Sequence, residues 1–245
     1  MLLPTMTYKE MYNNLSKDLQ KVKIRENYFP PKAIKEFKKE KRFSAWRWYE
    51  YTVPASQNKY VTFFYSESRA FIERPQIDNF FIVFDKKNNR YVIKCAACGY
   101  SHTKEGPLML LRQVQVYTSH FFDRYKERYL KDLSLNANDE VCRCLSRNKR
   151  GMPIKMNDEI NRQLDQYGVG AKYGFRVKYG FCFAISGLQV IKSEDRESEK
   201  DKPQAMYVVY KTFMNESDMA DTQLSAINLI MRLGYSTFKL FRGKR

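Results

Sequence analysis

The stretch SHFFDRYKERYL, residues 119–130, carries one of only two histidines in a chain of 245 residues. His120, Arg124 and Arg128 recur at the spacing that places side chains on one side of an α-helix. On a helical wheel of about 100° per residue, His120, Arg124, Glu127, Arg128 and Lys131 share a narrow stripe, and Phe121, Phe122, Tyr125 and Tyr129 fill the arc beside it. One edge is ionisable and the other is aromatic. The chemistry open to such an edge is proton transfer at a phosphodiester. RNA is cut without a metal when its own 2′-hydroxyl attacks the adjoining phosphate, which requires a base, an acid and cations to stabilise the phosphorane. A histidine, with an ordinary pKa near ~6.5, suits either proton role. In the first turn of a helix it faces the positive end of the helix dipole, which disfavours its charged form and leaves it available as a base. Arg124 and Arg128 would present forked donors to phosphate oxygens, and Glu127 would hold an arginine or act as the base. The same stripe also suits a plain surface helix, in which Glu127 and Lys131 form an ordinary i, i+4 pair.

Further along, YGFRVKYGFCFAI and MYVVYKTF read as strands. A His-x-x-x-Arg-x-x-x-Arg helix, a further helix and these strands, the second running into Lys211–Thr212, resemble the RelE, colicin and barnase-like class of ribonuclease toxins over about residues 113–232. That resemblance implies a helix against a short antiparallel sheet, metal-independent RNA cleavage and an antitoxin as a protein partner. It places His120 and Arg124 on the helix, Arg176 on the inner strand, and Lys211 with Thr212 on the next. Arg128 joins the catalytic set from the helical stripe. Lys131, Lys211 and Arg242 of the basic tail FKLFRGKR are expected to contact phosphates. Residues 1–112 have no counterpart in that class.

The five cysteines are an odd number and follow no export signal, so reduced thiols are expected rather than a disulfide framework. Cys95, Cys98 and His102 have the types and spacing of part of a zinc knuckle, with Cys142 and Cys144 as later thiols. Against this, a second C-x-x-C is missing, Cys95 ends a strand pattern, and buried cysteine is common in cores. No cofactor is expected.

Lys and Arg total 44 against 27 Asp and Glu, a formal charge of +17. A field of that sign draws polyanions, so nucleic acid, RNA above all, is the expected partner. The alternative is a non-enzymatic protein that contacts nucleic acid or another macromolecule through its basic surface. WRWYEY and KYVTFFYS set rings beside Arg47 and Lys59, which suits a stacking platform for single strands, although most aromatics in strands are core. No apolar run is long enough to cross a bilayer, and MLLPTMTYKEMYNN lacks the apolar stretch of a signal peptide, so a cytoplasmic protein without a membrane partner is expected.

The elements that must position these residues fall in blocks. Residues 5–26 read as a helix, and Pro30–Pro31 starts a second. AWRWYEYTV with KYVTFFYS, and NFFIVFD with RYVIKCAA, read as hairpins turning at PASQN and KKNN. LMLLRQVQVYT leads into the His120 helix, NANDEVCRCLSRN follows as a helix, and YGFRVKYGFCFAIS and AMYVVYKTFM are later strands. MNDEINRQLDQY and ESDMADTQLSAINLIMRL complete the helices, and KSEDRESEKDKP is too charged to pack. Blocks of strands and helices indicate an α+β fold with a largely antiparallel sheet and helices packed on one side. Residues 1–112 would hold the N-terminal helices and aromatic hairpins, and residues 113–245 a helix-rich α+β domain, unless the two form a single domain.

Overall fold

The run NKYVTFFYS is buried at every position except Lys59. A strand apolar on both pleat faces requires cover on both sides. In the computed structural model, which describes residues 2–3, 5–85, 87–100, 109–148, 152–154, 161–162, 165–166, 171–191 and 202–219, that cover comes from helices on the two faces of one sheet. The strands are β1 (Ala45–Val53), β2 (Asn58–Ser66), β3 (Gln76–Phe84), β4 (Arg90–Tyr100), β5 (Met109–Tyr117), β6 (Met152–Ile154), β7 (Ala171–Val177), β8 (Gly180–Ile191) and β9 (Lys202–Met214). They lie in the order β1-β2-β3-β4-β5-β9-β8-β7-β6. Every pairing is antiparallel except β5 with β9. The fold is α+β, and its sheet is open and mostly antiparallel.

Four helices clothe the sheet among the described residues: α1 (Tyr8–Glu26), α2 (Pro30–Lys38), α3 (Ser119–Tyr125) and α4 (Ala137–Arg147). Thr7 and Glu10 start α1 with a reciprocal capping box, which satisfies two otherwise orphaned N–H groups. Asn136 caps α4. Alternate strand residues then sort by face. Val61, Phe63, Phe80, Ile82 and Val92 pack with Phe121, Phe122 and Tyr125 of α3 and Val141, Cys142 and Leu145 of α4. Tyr60, Phe81, Val83 and Ile93 pack with Met11, Leu15 and Val22 of α1, while Phe37 of α2 covers Phe64 and Ala45. The expectation of helices on one side is corrected here. Phe80–Val83 is a continuous apolar run rather than an alternating one, the pattern of a strand covered twice.

β5 falls at the expected domain boundary and is bonded to β4 on one side and β9 on the other, so one sheet spans both halves. YGFRVKYGFCFAIS, read from sequence as a single strand, is instead the β7–β8 hairpin, reversing through Lys178 and Tyr179. Gly180 closes that turn with φ +155°, and a Cβ there would lie 2.4 Å from the Met214 carbonyl oxygen, so only glycine fits. In β9 the register against β8 slips at Lys211, which pairs with no β8 residue. This bulge lets both Tyr210 and Phe213 turn toward α3. The helices expected over 156–167 and 216–233 lie largely outside the described residues, apart from a 3-10 turn at Glu216–Asp218.

Candidate nucleic-acid interface

Thr118 caps α3 by accepting from the Phe121 N–H and also anchors it to the β9 bulge. Its N–H and hydroxyl donate to the Tyr210 carbonyl, both at 3.2 Å, and the hydroxyl also reaches the Lys211 carbonyl at 3.3 Å. The half-buried His120 therefore begins its helix beside the strand segment that carries Lys211. Burial lowers the pKa of the Lys211 ammonium. Arg124 pairs with Glu127 at 2.6 Å. Arg128 donates to the Phe213 carbonyl at 2.8 Å while its own carbonyl accepts from Asn215, which straps the helix to the end of β9. Lys131 ends a wider π-type turn over Lys126–Leu130, exposed and left-handed at φ 52°.

The catalytic set expected from sequence is divided between two pleat faces of the sheet. Phe175, Cys182 and Phe213 are register partners and belong to the core under α3. Their strand neighbours Arg176, paired to Phe181, and Thr212, paired to Phe183, therefore occupy pleat positions on the opposite face. Arg176 bonds Glu216 at 3.2 Å. Glu216 follows Asn215, whose amide bonds the Arg128 carbonyl, so Arg176 reaches the chain segment that holds the end of the helix. The physical reason for the division is parity: the Lys211 bulge turns Phe213 toward α3, and Thr212 away from it.

Of the cysteines expected as part of a zinc knuckle, Cys95 stands half-buried on β4, where burial raises its thiol pKa to about 12, and the Cys98 side chain lies outside the described residues. Cys142 and Cys144 are both buried, and burial raises both thiol pKa values. His102 and Arg242 lie outside the described residues. The aromatic strands are not a stacking platform either. Trp46 and Trp48 face α4 and donate their indole N–H groups to Ser146 at 2.7 Å and Asp139 at 2.9 Å.

A different constellation stands at the C-terminal end of α4. The Arg143 and Arg147 guanidiniums lie 5.2 and 5.0 Å from the Trp46 ring, whose neighbour in a stack is Tyr65 at 5.5 Å. Arg147 is also 5.9 Å from the rings of both Tyr129 and Tyr179. Those two rings stack at 4.6 Å, and the Lys178 ammonium lies 5.0 Å from Tyr179. Trp46 belongs to one edge strand and Tyr179 to the turn near the other end of the sheet, so the sheet curls around α4 until both reach one arginine. The two arginines are four residues apart on a helix whose Val141, Cys142 and Leu145 are buried, and their charge suits the negative end of its dipole. Rings beneath a guanidinium hold it by cation–π attraction and reduce its rotamer freedom.

Several cations elsewhere are paired with carboxylates. Arg47 pairs with Glu36 and Glu40, Lys59 with Glu50, Lys38 with Glu73, and Lys94 with Asp78. Among the described residues no carboxylate lies within ion-pair distance of Arg143, Arg147 or Lys178. Asp132 and Glu67 are the acids near enough to sense Arg143 and Lys178. The adjacent Lys178 ammonium holds the Tyr179 hydroxyl below the usual tyrosine pKa. Sequence reasoning passed over this rim. Its signals were the arginine pair in CRCLSRNKR and the Lys-Tyr-Gly turn hidden within an apparently single strand.

No protein-family model matches the chain, and neither a curated protein nor a solved structure matches it.

Proposed function

We propose that this protein binds single-stranded nucleic acid, RNA first, by seating backbone phosphates on Arg143, Arg147 and Lys178 at the end of α4. The observation that carries the reading is that these three cations are held against rings and lack carboxylate partners among the described residues, on a chain of net charge +17. Such groups bind phosphate without first giving up an ion pair, and their ordering is completed before the ligand arrives. Trp46 is covered by the arginines and Tyr65, so the rings position cations rather than stack bases. Sequence preference at this rim is accordingly weak. The protein acts as a binding module, and the toxin-type ribonuclease, built on His120 with Arg124, is the competing outcome.

The test is fluorescence anisotropy with a labelled single-stranded 20-mer RNA in chelator, followed by electrophoresis of the same RNA. Tight binding with intact RNA is expected. The double variant R143A/R147A should weaken binding about 10- to 100-fold, at about 1 kcal/mol or slightly more for each guanidinium removed. Unchanged affinity in that variant overturns the rim as the binding site. Cleavage that disappears in H120A would establish the enzymatic alternative.

A further inference from the structure

The edge strand β1 carries rings on both of its faces, and each face holds cations. Trp46 and Trp48 point toward α4, where Arg143 and Arg147 lie over Trp46. Tyr49 and Tyr51 take the alternate pleat positions and pack toward α2 and α1. The Lys32 ammonium lies 4.7 Å from the Tyr49 ring. The Arg25 guanidinium stands 5.7 Å from Tyr51, 5.6 Å from Phe29 and 5.7 Å from Tyr28. Phe29 stacks on Tyr49 at 4.8 Å, so one group of rings seats both cations. Among the described residues no carboxylate lies within ion-pair distance of Arg25 or Lys32. Glu36, which accepts from the Tyr49 hydroxyl at 3.3 Å, is paired with Arg47. This is the arrangement of the α4 rim repeated on the opposite face of the same strand. It adds one open ring, since Tyr28 is 68% exposed just beyond the end of α1. Residues 17–42 hold ten basic side chains against four acidic ones, so the field over this face also attracts an anion.

We propose that a single strand of RNA bound at the α4 rim passes around β1 and is held on its far face, where Arg25 and Lys32 take phosphates and Tyr28 stacks one base. The proposal rests on the phosphate-binding reading of the rim and defines its ligand further. β1 ends the sheet, with no strand outside it among the described residues, so only one strand separates the two sets of cations. A flexible single strand follows so sharp a turn, whereas a duplex, stiff over about 150 base pairs, does not. Holding one strand at two places raises its affinity through effective concentration. Stacking on Tyr28 accepts any base, in keeping with weak sequence preference.

The experiment measures anisotropy of a labelled 20-mer single-stranded RNA, and of a duplex of the same length, in chelator. It compares the full chain with R25A/K32A, Y28A, R143A/R147A and K9A/K87A. Arg25, Tyr28 and Lys32 are all exposed, so their removal leaves the core intact. K9A/K87A takes an equal charge from the first turn of α1 and from the β3–β4 turn. R25A/K32A should weaken single-strand binding about 10-fold. It should also flatten the log–log salt slope by about 1.4, for two phosphates at roughly 0.7 each. Y28A should cost about 10-fold with the slope unchanged, as one stacked base is lost. The duplex should bind more weakly than the single strand, and K9A/K87A should bind as the parent does. Weakening by R143A/R147A but not by R25A/K32A or Y28A overturns the far-face contact and leaves the rim standing. Unchanged affinity in all three removes both. An equal loss in K9A/K87A overturns the proposal, because net charge alone would then govern binding, and a duplex bound as tightly as the single strand overturns the turn around β1. Phosphatidylserine vesicles that bind the parent but not R25A/K32A, with RNA binding unchanged in that variant, would assign the far face to a lipid surface instead.

Discussion

Glu140 in the first turn of α4 is 6% exposed, and one of its carboxylate oxygens has no hydrogen-bond partner. Burial raises its pKa from the usual 4.5 to about 7; Asp123 pushes the same way, while Lys126 and Arg90 oppose it. Arg90 is itself desolvated and donates to Asn138, so it compensates only in part. A shift of that size corresponds to at most about 3 kcal/mol, and screening by nearby water brings the expected range to about 1–3 kcal/mol. Because the folded-state pKa is raised, the native state holds this proton more tightly than the unfolded chain. Its stabilising contribution is complete below pH 4.5 and is lost as the pH rises through about 7. E140Q removes the titration while keeping the shape. Urea melts at pH 5, 6.5 and 8 should show the variant gaining about 1–3 kcal/mol over the parent at pH 8 and little or nothing at pH 5, with unchanged slope. Equal destabilisation by E140Q at all three pH values would refute the reasoning, since it would mean that the carboxylate is stabilised by Arg90 and Lys126.

Three further outcomes follow from packing and turn geometry. F213A, at a fully buried ring beneath α3, should cost about 3–5 kcal/mol in denaturant melts. G180A forces a Cβ to 2.4 Å from the Met214 carbonyl oxygen and should cost about 2 kcal/mol or more, read as a drop in thermal midpoint. T118A removes both the α3 cap and the hydroxyl's hydrogen bonds to the Tyr210 and Lys211 carbonyls, so a destabilisation of about 1–2 kcal/mol is expected by the same melts.

The two N-terminal hairpins were legible because PASQN and KKNN separate runs of β-branched and aromatic residues, and β1–β4 fall where those runs predict. The amphipathic character of the His120 helix was legible too, since Phe121, Phe122 and Tyr125 are buried there. Which sheet face each later side chain joins was not. A single bulged residue, Lys211, sets that parity for Thr212 and Phe213, and no local pattern announces it. The rim was equally hidden, because Trp46 and Arg147 are about a hundred residues apart and meet only through the curl of the sheet. Of the expected site residues, those on the helix stay together, while Arg176 and Thr212 take pleat positions facing away from the core under α3.

Whether phosphates sit on this rim is decided by how binding responds to salt. Affinity for single-stranded RNA, measured from about 50 to 300 mM salt, should fall linearly on a log–log plot, each phosphate contact contributing a slope of roughly −0.7. R143A/R147A should flatten that slope by about 1.4, whereas an identical slope in parent and double variant would contradict phosphate binding by Arg143 and Arg147.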